Sequence, residues 1–223
     1  MNRCSFLAAL CTAFCFVTLA AFPVGSQAQN VRLGIDGGLA LSTFRGDTGV
    51  LLDNVNSSTL RRRASFQAGG FAMIQLNEWL DLRPGLYYIQ KGAVLEGSTL
   101  GAPDVTAEYR FPYVQIPILF EARIPTEGIT PSVSLGPVAS FSTASGVEIV
   151  DRTGERIRSF ERITETLDLG AMVGVGMRYL IDDSKMLIFD LRYNPGLLDI
   201  ISEEGVSMRT DAVTMSFGYA FSL

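Results

Sequence analysis

The sequence of 223 residues has no histidine and only two lysines, Lys91 and Lys185. Without histidine there is no Ser-His-Asp or Cys-His chemistry, and the commonest zinc ligand is missing. The three cysteines, Cys4, Cys11 and Cys15, all precede residue 28. The rest of the chain must therefore be held by backbone pairing and burial, without disulfides. Charged residues make up 18%, below the roughly 25% usual in a soluble domain. Acidic side chains outnumber basic ones by 23 to 18, which gives no electrostatic footprint for nucleic acid. No nucleic acid, metal or cofactor is expected. Hydrophobic residues, by contrast, reach 48%, which excludes a disordered chain.

The N-terminal segment reads as an address. Arg3 supplies a positive charge, residues 6–22 carry no charged side chain, and Pro23 and Gly25 break the run. Ser26-Gln27-Ala28 puts small residues at the two positions a signal peptidase reads, which predicts cleavage after Ala28. A retained membrane helix would want about 20 apolar residues. The residues before Cys11 and Cys15 fit a lipoprotein site poorly. The expected organisation is a signal peptide over residues 1–28 and one domain over residues 29–223.

Beyond the signal the dominant period is two, the mark of strands with chemically different faces. In the first run Val31, Leu33, Ile35, Leu39 and Leu41 alternate with Arg32, Gly34, Asp36, Ala40 and Ser42. In the last, Val213, Met215, Phe217, Tyr219 and Phe221 alternate with Ala212, Thr214, Ser216, Gly218 and Ala220. Six similar runs lie between, over residues 64–76, 80–91, 112–124, 129–142, 167–180 and 186–194. Turn-sized links near residues 77–79, 125–128 and 182–184 alternate with long polar ones over residues 44–63, 92–110, 143–166 and 195–210. The pattern predicts an all-β fold, an eight-stranded antiparallel up-and-down transmembrane β-barrel, with both termini at the short-turn, periplasmic side.

Alternation alone fits a soluble lipocalin-like barrel equally well. Three features favour a membrane. The polar face of the last strand carries only Ala, Thr, Ser and Gly, which suits a crowded lumen better than a solvated exterior. Arg83, Glu121, Arg123, Asp168, Arg178, Asp190 and Arg192 bring both signs to the same face, so they are expected to form a luminal charge network. Aromatic residues fall at strand ends on the apolar face, with Phe66, Tyr88, Phe141 and Tyr193 toward the outer rim. Trp79, Tyr179, Tyr219 and Phe221 fall toward the inner rim, which together makes two interfacial girdles.

The stretches Leu82-Arg83-Pro84-Gly85-Leu86-Tyr87-Tyr88, Tyr113-Val114-Gln115-Ile116-Pro117, Ser134-Leu135-Gly136-Pro137, Asp168-Leu169-Gly170 and Asp190-Leu191-Arg192-Tyr193 occur in the order of a known pattern. With them the chain resembles the PorT-like outer-membrane β-barrel family. The resemblance implies an eight-stranded barrel in the outer membrane of a diderm bacterium and carries no catalytic site. The C-terminal run ending Tyr219-Ala220-Phe221-Ser222-Leu223 is similar to the signal read by the barrel-assembly machinery, which is expected as a partner during biogenesis.

Glu121, Asp168 and Asp190 resemble catalytic carboxylates only superficially, since arginines on the same face are available to pair with them and no nucleophile accompanies them. No catalytic residue is assigned. Arg61-Arg62-Arg63 lies where the first long link meets the second strand. Three guanidinium groups there suit lipopolysaccharide phosphates, and a solvated rim cluster is the plainer alternative. The expected function is non-enzymatic: a barrel with a filled polar lumen, acting structurally or through its loops on an adhesion, envelope or secretion-assembly partner. Outer-membrane lipid and lipopolysaccharide are its expected surroundings. A narrow solute or ion channel and a periplasmic carrier of apolar ligands are the alternatives.

Overall fold

The computed structural model describes residues 31–46, 57–98, 105–126, 128–143, 146–150, 156–161, 167–197 and 208–222. The expected signal peptide and Leu223 lie outside them. Ten strands follow in chain order: β1 Val31–Gly46, β2 Ser57–Gln75, β3 Leu80–Ser98, β4 Val105–Arg123, β5 Ile129–Ser142, β6 Gly146–Val150, β7 Arg156–Glu161, β8 Leu167–Leu180, β9 Lys185–Pro195 and β10 Met208–Ser222. Eight of them, all but β6 and β7, pair antiparallel with their neighbours around a ring. β1 closes it against β10, from Arg32 opposite Ser222 to Gly46 opposite Met208. Closure leaves the ring no free sheet edge.

The turns are set by local chemistry. Between β2 and β3, Asn77 Oδ1 accepts from the amides of Trp79 at 3.0 Å and Leu80 at 2.8 Å, a side chain mimicking a backbone turn. Asp182 Oδ1 does the same between β8 and β9, accepting from the Ser184 amide at 2.9 Å. Between β4 and β5, Gly128 has φ 86°, a left-handed conformation that disfavours any Cβ. These three turns and the start of β1 share one end of the barrel, the turn end.

At the opposite, loop end the strands run further than the alternation predicts. β2, β3 and β4 are each 19 residues long, whereas a tilted strand needs only about 9–11 to cross a bilayer. Much of what reads as long polar links at residues 57–63 and 92–98 is therefore ladder. Within residues 143–166 the chain forms the extra hairpin β6–β7, joined to the barrel where Arg110 of β4 pairs with Glu148.

The faces are inverted relative to a soluble protein. Ile35 is 68% exposed and Asp36 beside it 5%; Phe217 is 58% exposed and Ser216 beside it 3%. Leu39, Leu86, Leu135, Val175 and Leu191 continue the exposed apolar belt. Such a continuous apolar surface is far beyond the patches a water-soluble monomer tolerates. Among the described residues no helix is long and apolar enough to cross a membrane. Trp79, Tyr179 and Phe221 are exposed near the turn end, while Phe66 and Tyr88 touch with ring centroids 5.9 Å apart on the loop side.

Candidate functional site

Inward positions of β1, β3, β4, β5, β8 and β9 converge on one mesh of charge. Arg83 of β3 is its hub. Its Nη1 lies 2.9 Å from Asp190 Oδ2 and 3.5 Å from Glu121 Oε2, and its Nη2 lies 3.1 Å from Asp36 Oδ2. The guanidinium carbon sits 3.9 Å from the centroid of the Phe71 ring, a cation–π contact. In the ring of strands β3 and β9 are diametrically opposed, four steps apart in either direction. The Arg83–Asp190 pair therefore crosses the interior.

Further cations tie the same carboxylates together. Arg178 donates to Glu121 Oε1 from Nε at 3.0 Å and also grips Asp81. Arg123 Nε reaches Asp81 at 3.2 Å. Arg192 bonds Asp190 and lies 3.6 Å from Asp36. Neutral donors complete the shell: Tyr87 Oη donates to Asp36 at 2.9 Å and Ser132 Oγ to Glu121 at 2.7 Å. Four arginines thus face four carboxylates. Buried charge is tolerable only when paired and hydrogen-bonded in this way.

Two glycines make room for the mesh. Gly174 and Gly176 of β8 pair with Arg192 and Asp190 of β9. A Cβ added at Gly176 would lie 2.5 Å from Asp190 Oδ1, and one at Gly174 would lie 2.8 Å from Arg192 Cγ. Here glycine supplies space, so the charged side chains can lie flat against the neighbouring strand.

Asp168 stands apart from the other carboxylates named from the sequence. It pairs with Lys91 Nζ at 3.1 Å, and the Thr210 hydroxyl donates to it at 3.0 Å. Lys91 lies over the Tyr113 ring, 5.1 Å from its centroid. This second cluster borders an apolar group of Phe44, Ile89, Ala93, Phe111 and Tyr113 toward the loop end. One inward step from Arg192, the buried Asn194 amide has no hydrogen-bond partner among the described residues, and neither does the Tyr113 hydroxyl.

Of the seven residues read as a luminal network, the structure brings together Arg83, Glu121, Arg123, Arg178, Asp190 and Arg192. Alternation alone did not single out Asp36, Asp81, Tyr87, Lys91, Ser132 or Thr210 as members. The first five occupy inward parity positions, which was the available signal. The arginine triplet divides. Arg61 and Arg62 are exposed, whereas Arg63 is buried, with its Nη2 3.3 Å from Gln90 Oε1. Leu60 packs inward on the other side, and the β2–β3 register shifts just beyond Arg62. The strand's alternation breaks there, so two consecutive residues reach the surface.

A closed antiparallel barrel with an apolar exterior and a buried ionic interior defines a transmembrane β-barrel. The chain belongs to the outer membrane protein beta-barrel domain family, whose model matches residues 27–202. Its fold is similar to that of Neisserial surface protein A, at TM-score 0.54 and 13% identity over 86% of this chain and 97% of that one. It is also similar to the outer membrane protein OprG from Pseudomonas aeruginosa, at TM-score 0.51 and 12% identity over 87% and 97%. No curated protein sequence matches the chain. It is an eight-stranded outer-membrane barrel protein.

Proposed function

We propose that this barrel is non-enzymatic and non-conducting, and that it acts through what its loop end presents outside the cell. The signal peptide is removed during export, and the turn end faces the periplasm. The observation that carries this reading is the span of Arg83 from β3 to Asp190 on β9, reinforced by three further arginines. An ion crossing the barrel would have to pull these side chains from partners they hold in a low-dielectric interior, where breaking such a pair is costly. Each carboxylate of the mesh is engaged by a guanidinium, so none stands ready as a general base. The proposal includes membership of the PorT-like branch, supported by the Tyr-x-x-Ile-Pro run of β4 and the Gly-Pro run of β5.

Purified protein in planar bilayers is the test. No reproducible single-channel steps are expected. Steps that vanish when the interior is altered would establish a narrow channel instead. The bilayer-facing assignment is tested separately by Leu191→Arg on the exposed face, expected to cost about 2–4 kcal/mol at mid-bilayer and to impair insertion. Normal insertion of that variant with unchanged heat stability would overturn the facing.

A further inference from the structure

The β6–β7 hairpin prolongs the barrel wall at the loop end. β5 pairs with β4 as far as Ser142 opposite Tyr113, and β6 joins the same strand at Arg110, so β6 follows β5 along one line. β7 pairs antiparallel with β6 and leads back into β8. β5 and β8 have 14 residues each, already more than the roughly 9–11 a tilted strand needs to cross a bilayer. The hairpin beyond them therefore stands outside the membrane. β7 is the last strand in the order of the sheet, and among the described residues no strand pairs with its outer edge. Such an edge is a template for a further strand.

The sequence of that edge is complementary to itself. Arg156-Ile157-Arg158-Ser159-Phe160-Glu161 can be laid antiparallel against an identical strand, centred between Arg158 and Ser159. Arg156 then stands opposite Glu161 and Ile157 opposite Phe160, each pair occurring twice by symmetry. Opposite charges and aromatic–β-branched pairs directly across a ladder are stabilising. In sequence the match continues outward, with Glu155 against Arg162 and Arg152 against Glu165. A slip of one residue either sets Arg158 opposite Arg158 or sets Glu161 against Ile157. Charges commonly guard an edge strand against foreign strands; here their order accepts a copy of the same strand in one register.

We propose that β7 is a homophilic contact, pairing edge to edge with β7 of a second copy of this chain held in a facing membrane. It rests on the reading that the barrel acts through its loop end. Two identical strands paired antiparallel are related by a two-fold axis perpendicular to their sheet, an isologous contact. Because the hairpin prolongs the wall, its sheet runs along the barrel axis and that two-fold lies parallel to the membrane. Rotation about it turns the second barrel upside down, which a copy in the same membrane does not allow. The contact therefore joins two membranes. A ladder of six residues is weak singly and gains strength from many copies engaged at once.

The test uses the protein folded into phosphatidylcholine vesicles, with protease access verifying that the loop end faces outward. Wild-type vesicles should cluster, as read by light scattering. Arg156→Glu and Glu161→Arg each set like charges opposite at both ends of the ladder, and each should weaken clustering about tenfold. Mixing the two variant populations re-forms both ion pairs and should restore clustering between vesicles of different colour. Heat-modifiable migration on gels verifies folding, and a variant that fails it is replaced by Arg156→Asp or Glu161→Lys. Absence of wild-type clustering overturns the proposal, as does clustering that survives in both variants or a mixture that does not cluster. Dimers cross-linked within vesicles that stay apart also overturn it, because they mark pairing in one membrane. Unclustered vesicles together with silent planar bilayers defeat only the self-pairing. Clustered vesicles whose protein conducts in planar bilayers defeat the non-conducting reading and leave the self-pairing standing.

Discussion

Toward the turn end of the barrel interior, four arginines and four carboxylates share partners. Asp36 bonds Arg83, Arg192 and Tyr87, and Glu121 bonds Arg83, Arg178 and Ser132. Toward the loop end a single lysine meets a single aspartate beside an apolar, aromatic cap. Both arrangements are neutral in sum and both cross the interior. They differ in redundancy. In the mesh every carboxylate is held by two arginines, so it cannot be dismantled pair by pair, whereas the Lys91–Asp168 pair is separable from its surroundings. The comparison teaches that the turn-side half resists substitution as a unit and the loop-side half is open to replacement.

Arg83→Met should have the largest effect. It leaves three carboxylates short of a cation in a buried setting, expected to cost about 3–5 kcal/mol. Urea unfolding of the protein in lipid vesicles measures it. No single carboxylate removal should rescue the variant, because Arg83 serves Asp36, Glu121 and Asp190 at once. Full rescue by one partner change would mean the mesh is only a set of independent pairs.

Lys91→Met sharpens the contrast from the other side. Asp168 keeps the Thr210 hydroxyl as donor, so the loss should fall near the lower end for a broken buried pair, about 3 kcal/mol. Adding Asp168→Leu should return stability to within about 1 kcal/mol of the parent, since apolar replacement of a buried pair is often neutral. If the double variant remained as unstable as the single one, the pair would be as interlocked as the mesh.

The difference between the halves was only partly legible in the sequence. Period-two alternation disclosed the strands, the short turns and the inward parity of Arg83, Glu121, Arg178 and Asp190. It did not disclose which charges share a level, because level depends on strand tilt and stagger around the ring. That is why Asp168 reads as a member of the same network yet meets Lys91 instead. Alternation also blurs where both faces are apolar. Phe71, Met73, Met186 and Ile188 point inward between outward-facing hydrophobics and pack together beside Tyr87. The irregularity at Arg61–Arg63 was equally hidden, since a bulge shows itself only in the pairing with its neighbour. The extension of β2–β4 was missed for a related reason: polar residues beyond the bilayer lose the apolar face that makes a strand visible.

Gly176→Ala probes the space the mesh requires. The new methyl would meet Asp190 Oδ1 at 2.5 Å and Ser132 Oγ at 2.9 Å, so the carboxylate must move away from β8. Overpacking of this kind costs about 1–3 kcal/mol. The same substitution at Gly37, on the outward face, meets nothing nearer than 3.6 Å and should leave stability unchanged. Parallel urea titrations compare them. Equal losses would show that β8 glycines serve the strand's backbone rather than the charges beside it.

The smallest effect belongs to the turn between β8 and β9, outside the membrane-spanning part. Hydrogen bonds from the Ser184 hydroxyl and amide, followed by the bond from Lys185, hold the Asp182 carboxyl down from its ordinary 3.8 to about 2. A carboxyl whose value is depressed in the folded state stabilises that state above its ordinary value. The contribution is lost as pH falls from near 4 through about 2. Because the group is fully exposed, solvent screens most of this, and Asp182→Asn should barely alter unfolding at neutral pH. The carboxyl resonance followed by NMR should titrate well below an unstructured aspartate, and Ser184→Ala should raise its midpoint. A midpoint unchanged by Ser184→Ala would mean that the Ser184 amide and Lys185 hold the carboxyl down without the hydroxyl.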